Sequence, residues 1–266
     1  METNDTATPT RRRRRKPAAR KRRRSRAKGG ARRGLARVFK SSPRWLKIGV
    51  VTSIVVAVAL VANGIYQVVR KPTEVFTPMG TVWNKSPTET WRNYGSLFRK
   101  QATATITPEL LAALAQTEGA GNPMAHTYWR WSWSLNPLHV YRPASSSVGM
   151  YQITDGTFEL ARHYCIKNHQ VRSEGAWDDW NSCWFNGLYF RVRPSDAIEL
   201  TSAYLDVSVN DILARTHRTS ATLEQKQRLA SMIHLCGAGA ADSFARHGFR
   251  TGDGQRCGDH DPAGTR

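Results

Sequence analysis

The stretch TPELLAALAQTEGAGNPMA, residues 107–125, decides the reading of the folded part of this chain. Thr107 offers a side-chain oxygen to the open amides of a first helical turn. Pro108 suits the first helical position, and Glu109 suits the positive end of the helix dipole. The run LLAALAQTE continues the helix until Gly119 and Gly121 stop it. Leu111, Leu114, Ala115 and Glu118 stand at i, i+3, i+4 and i+7, so they share one face. Glu118 is then a carboxyl at the end of an apolar stripe. Burial of that stripe favours the neutral acid, the form a general acid needs. A helix rotated the other way leaves Glu118 as an ordinary exposed end residue.

Outward from this helix, the pattern from Thr105 to about residue 250 is helical, with no sustained strand alternation. Residues 71–104 mix Pro, Thr and scattered aromatics and read as a stalk with one short helix near 88–100. Before them lies IGVVTSIVVAVALVANGIYQVV, residues 48–69, which is 22 residues without a charge. At ~1.5 Å per residue such a helix covers a bilayer core of ~30 Å. Trp45 and Tyr66 stand near its ends, where amphipathic rings favour the membrane interface.

Charge sorts the chain about this segment. The 266 residues carry 40 Lys+Arg against 20 Asp+Glu, for a net charge of +20. Residues 1–47 hold 19 of the basic residues and two acids, which is +17, leaving +3 for the rest. The folded part is therefore nearly neutral. The positive-inside rule puts the N-terminus in the cytoplasm and residues 71–266 across the membrane, in the periplasm. The apolar run exceeds the core of a cleavable leader, so residues 45–70 read as an uncleaved signal anchor in the inner membrane. The runs RRRRRK (11–16) and RKRRRSRAK (20–28) belong to a basic, disordered cytoplasmic tail, residues 1–44. The tail serves topology, with contact to anionic lipid or nucleic acid as the alternative. No aromatic residue precedes Phe39 to stack on bases. Hydrophobic residues at 40% and nine Trp exclude a wholly disordered chain, and a single apolar span excludes a polytopic membrane protein.

All four cysteines, 165, 183, 236 and 257, fall on the outer side of the span. An even count in an exported region fits disulfides. Three pairings exist, and pairing between sequence neighbours, Cys165 with Cys183 and Cys236 with Cys257, is the simplest. A zinc site using Cys165, His163 and His169 is the competitor, without the usual ligand spacing.

The stretch 109–125, followed by SSSVGMYQIT at 145–154, resembles the lysozyme-like domain of the soluble lytic transglycosylase family. That family carries a helix ending in a catalytic Glu, an Asn-Pro-x-Ala turn and a Gly-Leu-Met-Gln segment. Glu118 matches the first, Asn122-Pro123-Met124-Ala125 the second, and Gly149-Met150-Tyr151-Gln152 the third. IHLCGAGAA at 233–241 looks like a variant of the family's Ala-Tyr-Asn-Ala-Gly motif. The resemblance covers about residues 105–250 and implies a mainly α-helical, lysozyme-like domain, with a tail at 251–266. Four positions depart from the pattern: Gly119 replaces the Ser after the Glu, Tyr151 replaces a Met, and Cys236-Gly237 fall where the family has Tyr-Asn. The family's orienting tyrosine is then Tyr204 or Tyr151.

The resemblance further implies cleavage of peptidoglycan glycan strands between N-acetylmuramic acid and N-acetylglucosamine, with Glu118 as general acid and base and a 1,6-anhydro product. Ser146, Ser147, Gly149, Met150, Tyr151 and Gln152 are then the substrate-binding residues, and no metal or cofactor is called for. A hydrolysing lysozyme needs a second carboxylate, for which Asp155, Asp178 and Asp179 are available. An inactive peptidoglycan-binding or scaffold protein on the same fold is a further alternative. So is a membrane-tethered nucleic-acid binder acting through the tail. The insertion 126–145 carries Tyr128, Trp129, Trp131 and Trp133, which suit either sugar stacking or packing. Trp177, Trp180 and Trp184 read as packing in the core or beside the disulfide.

Overall fold

The computed structural model describes residues 42–71, 74–75, 80–179, 181–251 and 257. The basic tail lies outside these, as do parts of 72–79 and most of the C-terminal tail. Compactness divides the chain into Met1–Ala59 and Leu60–Arg266.

The first unit contributes the leading turns of α1, Arg44–Arg70, the one helix among the described residues long and apolar enough to cross a membrane. Its Val and Ile side chains are exposed on every side. β-Branched residues weaken a helix in water, whereas a lipid environment, which offers no partner to backbone amides, favours one.

The second unit is mainly helical. α2 (Pro87–Lys100) opens on a capping box, in which Ser86 accepts from the Glu89 amide and Glu89 accepts from Ser86. α3 (Pro108–Gly119) is capped by Thr107, as its sequence predicts. α4 (Asp155–Ala161) is short. α5 (Pro194–Arg215) is buried on nearly every side from Asp196 to Ala203 and forms the centre of the domain. α6 (Leu223–Arg246) packs along it and is broken at Gly237, where φ is 80°. The core joins Phe98, Ile106, Leu111 and Leu114 to Ile198, Leu205, Ile212, Leu229, Ile233 and Phe244.

Two expectations need correction. Residues 87–104 are part of the domain and do not form a stalk. Phe98 is fully buried, and Thr90, Tyr94, Leu97 and Gln101 share its side of α2. Polar residues in that stripe hid it: Thr90 donates to Gln116 Oε1, and Gln101 bonds to Glu199. There is also strand structure. Two antiparallel hairpins form, β1 (Trp129–Trp131) with β2 (Tyr141–Pro143) and β3 (Tyr164–Lys167) with β4 (Gln170–Ser173). Strands of three and four residues are too short to show alternation. The second hairpin turns through Asn168 and His169, both at positive φ, the geometry of a two-residue hairpin turn.

The disulfides pair sequence neighbours, Cys165 with Cys183 and Cys236 with Cys257. The zinc alternative thereby loses its thiolate. His163 instead meets Glu174, and His169 meets the Ala102 carbonyl.

The elements converge on Glu199. Its carboxylate is buried in α5 and accepts from Gln101 Nε2 at 3.1 Å, the Ile166 amide at 2.9 Å and the Tyr189 hydroxyl at 3.0 Å. Glu199→Ala strands three donors, which costs ~3 kcal/mol or more. At ~2–4 °C per kcal/mol for a domain of this size, calorimetry should find Tm lowered by at least about 6 °C. Burial, and the Glu199 charge beside it, push the Tyr189 phenol well above the ordinary tyrosine range. Burial alone does the same for Tyr151. Both raised values favour the protonated, folded form. Their stabilising contribution is complete below the unfolded pKa of about 10 and is lost as pH rises above it. Thermal melts through alkaline pH should therefore show Tm falling, and falling less steeply in Tyr189→Phe.

Candidate active site

Glu118 stands half-buried at the end of α3, above the buried Leu111, Leu114 and Ala115. The stripe does face the core. The helix stops because Ala120 and Gly121 take positive φ, 49° and 63°. A side chain at 121 would collide with the Thr90 hydroxyl. Asn122 then locks the turn. Fully buried, it donates to the Gly80 carbonyl at 2.6 Å and to Asn84 Oδ1 at 2.9 Å, and accepts from the Met124 amide at 2.8 Å.

The second motif folds against this helix end. Val148 and Ile153 pair by two backbone hydrogen bonds and enclose a tight turn. Gly149 has φ 81°, and its amide donates to the Ala125 carbonyl at 2.8 Å, which ties the two motifs together. A Cβ at Gly119 would lie 2.8 Å from the Met150 Cα, so the glycine permits this approach.

The six expected binding residues do not form one surface. Met150 and Tyr151 have no exposed area and cannot line a cleft. Met150 packs in the core. The Tyr151 hydroxyl donates to the Leu111 carbonyl at 3.1 Å, while its ring meets His234 edge-on at 6.3 Å. Gly149 is buried backbone. Gln152 also takes positive φ, 47°, and is held by its own side chain. Its Oε1 accepts from Ser147 at 3.0 Å, and its Nε2 donates to the Gly149 carbonyl at 2.9 Å.

Gln152 lines a cavity of about 230 Å³ with Thr154, Thr157, Tyr204, His234 and Gly237. The break in α6 at Gly237 forms one side of it. Of the two candidate tyrosines, Tyr151 is committed to Leu111, so Tyr204 is the one available. Ser146 faces another cavity, about 750 Å³, beside Arg70, Arg130, Arg142 and Arg191. Asp155, the acid among its described lining residues, pairs with Arg191 at 2.7 Å. Asp178 and Asp179 are exposed.

His234 joins Gln152, Thr154 and Thr157 only because α6 folds against the 149–152 turn, and no local pattern in the sequence records that. The expected packing in the core or beside the disulfide is not found for the two described tryptophans. Trp177 is 81% exposed and Trp184 is exposed, while Trp180 lies outside the described residues.

No protein-family model matches the chain, and neither does any curated protein or solved structure.

The Gly119 contact gives a direct test. Gly119→Ser should destabilise the domain by ~1–3 kcal/mol through overpacking on Met150, read as a lower urea midpoint with an unchanged slope.

Proposed function

We propose that this chain is a membrane-anchored lytic transglycosylase of lysozyme-like fold, cleaving peptidoglycan glycan strands with Glu118 as its acid and base. The observation that carries the reading is the packing of Gly119, the residue after Glu118, on Met150 of the turn whose Gln152 lines a cavity with Tyr204 and His234. The order of motifs along the chain adds to it. Further support comes from the two disulfides, which fit an oxidising compartment, and from the basic segment before α1, which fits a cytoplasmic N-terminus and a periplasmic domain.

In this mechanism the protonated Glu118 gives its proton to the glycosidic oxygen as the bond from the muramyl C1 breaks. The resulting carboxylate removes the proton of the C6 hydroxyl as that oxygen closes on C1. Glu118 regains its proton, the muramyl end becomes a 1,6-anhydro ring, and no water enters. One carboxyl suffices, and Asp155, one of the carboxylates a hydrolase could use, is held by Arg191. Tyr204 takes the orienting role that Cys236 cannot.

The test incubates the full chain in detergent with purified sacculi and weighs the released muropeptides. The expected product is one water lighter than the hydrolytic one. Glu118→Gln should lower its rate on the order of 10²–10⁴-fold, and Tyr204→Phe about tenfold, the worth of one hydrogen bond. Reducing-end products would make the protein a hydrolase. Sacculus binding without product, from a folded chain, would make it a binding protein.

A further inference from the structure

The hairpin of β1 and β2 is fastened to the outer end of α1. Asn63, Gln67 and Lys71 stand at i, i+4 and i+8, on one face of the chain as it leaves the helix. Asn63 is 1% exposed and donates to the Pro137 carbonyl at 3.1 Å. Gln67 donates to the Leu138 carbonyl at 2.7 Å. Lys71 donates to the carbonyls of Ser145 at 3.2 Å and Ser147 at 2.9 Å. Tyr66 meets His139 edge-on, with ring centroids 5.8 Å apart.

The same loop leaves its apolar side chains uncovered. Trp133 and Leu135 are each 106% exposed, and Tyr128 and Trp131 are about two thirds exposed. Trp129 is held by its indole, which donates to Glu74 Oε2 at 2.7 Å, and Trp131 meets Tyr141 on one face while two thirds of it stays exposed. The run WSWSLNPLHVY, residues 131–141, contains no Lys, Arg, Asp or Glu, while Arg130 and Arg142 flank it. An uncharged aromatic run with basic residues at both ends has the composition of a segment seated at a lipid interface.

Depth along α1 agrees. Lys47 is the last charge before the apolar run, and a hydrocarbon core of ~30 Å takes about 20 residues of helix, which reaches Gln67. Asn63 and Gln67 then fall inside or at the edge of the outer leaflet, where an unsatisfied amide is costly. The carbonyls of Pro137 and Leu138 satisfy them, so the loop that carries Trp133 and Leu135 lies at that depth too.

We propose that the loop 131–141 is a second membrane contact, seated in the outer leaflet beside α1, with Trp131, Trp133 and Leu135 among the upper acyl chains and Arg130 and Arg142 at the phosphates. The proposal rests on the reading of α1 as a membrane span.

The test uses the full chain in vesicles of phosphatidylethanolamine and phosphatidylglycerol. The four native cysteines are all in disulfides, so an introduced thiol takes an environment-sensitive fluorophore alone. Leu135→Cys, Trp133→Cys, Val55→Cys and Trp177→Cys are labelled in turn; each of these side chains is exposed. Probes at 133 and 135 should emit to the blue of the probe at 177. Lipids spin-labelled high on the acyl chain should quench them at least about twofold more strongly than that probe, as expected at the interface. Quenching at 55 but not at 133 and 135 overturns the loop contact and leaves the span standing. No quenching at 55 overturns the span reading, and the loop contact with it. Probes at 133 and 135 that stay water-exposed on vesicles and respond to added glycan strands overturn the proposal in favour of a sugar platform.

Discussion

A buried carboxylate at the centre of α5 organises this domain. Glu199 receives a hydrogen bond from the end of α2, one from the backbone of β3 and one from Tyr189, beyond the second disulfide-bonded cysteine. An apolar residue would bury as much surface there but leave all three donors without an acceptor, at a cost comparable to that of an unpaired charge. Ser202 and Asp206 extend the seam: Ser202 donates to the Gln101 carbonyl, and Asp206 accepts from the Thr103 hydroxyl. Because α2 and the β3–β4 hairpin dock on the same helix through directional bonds, their positions are set more narrowly than hydrophobic packing alone would set them.

That framework fixes the candidate site at one remove. α3 lies against α2, and its last residue is a glycine whose missing Cβ lets the 149–152 turn close to van der Waals distance. The turn in turn buries Tyr151 between Leu111 and His234, coupling α3 to α6 near the Gly237 break. Gln152 and Tyr204 line one cavity from two elements, and the missing Cβ atoms of Gly119 and Gly149 allow the close approach of the neighbouring backbone, so neither glycine tolerates a larger residue.

The junction between α1 and the domain follows a different logic. Two amides near the end of an apolar helix need partners, and the hairpin supplies backbone carbonyls. The hairpin's own strands are three residues long and hold only because Trp129 and Trp131 stack on Tyr141 and because α1 and Glu74 support them from outside.

The apolar helix, the cap of α3 and the presence of disulfides could be read from the chain. These depend on residues close in sequence, where periodicity and capping chemistry act directly. Tertiary structure decided that residues 87–104 are core, that Met150 and Tyr151 support the turn from within, and that Ser146 and Gln152 face separate cavities. It also decided that Asn63 and Gln67 meet a hairpin 70 residues away. The physical reason is common to these cases. Whether a polar or aromatic side chain is buried depends on a partner supplied by a distant segment, and no local pattern records where that partner will be.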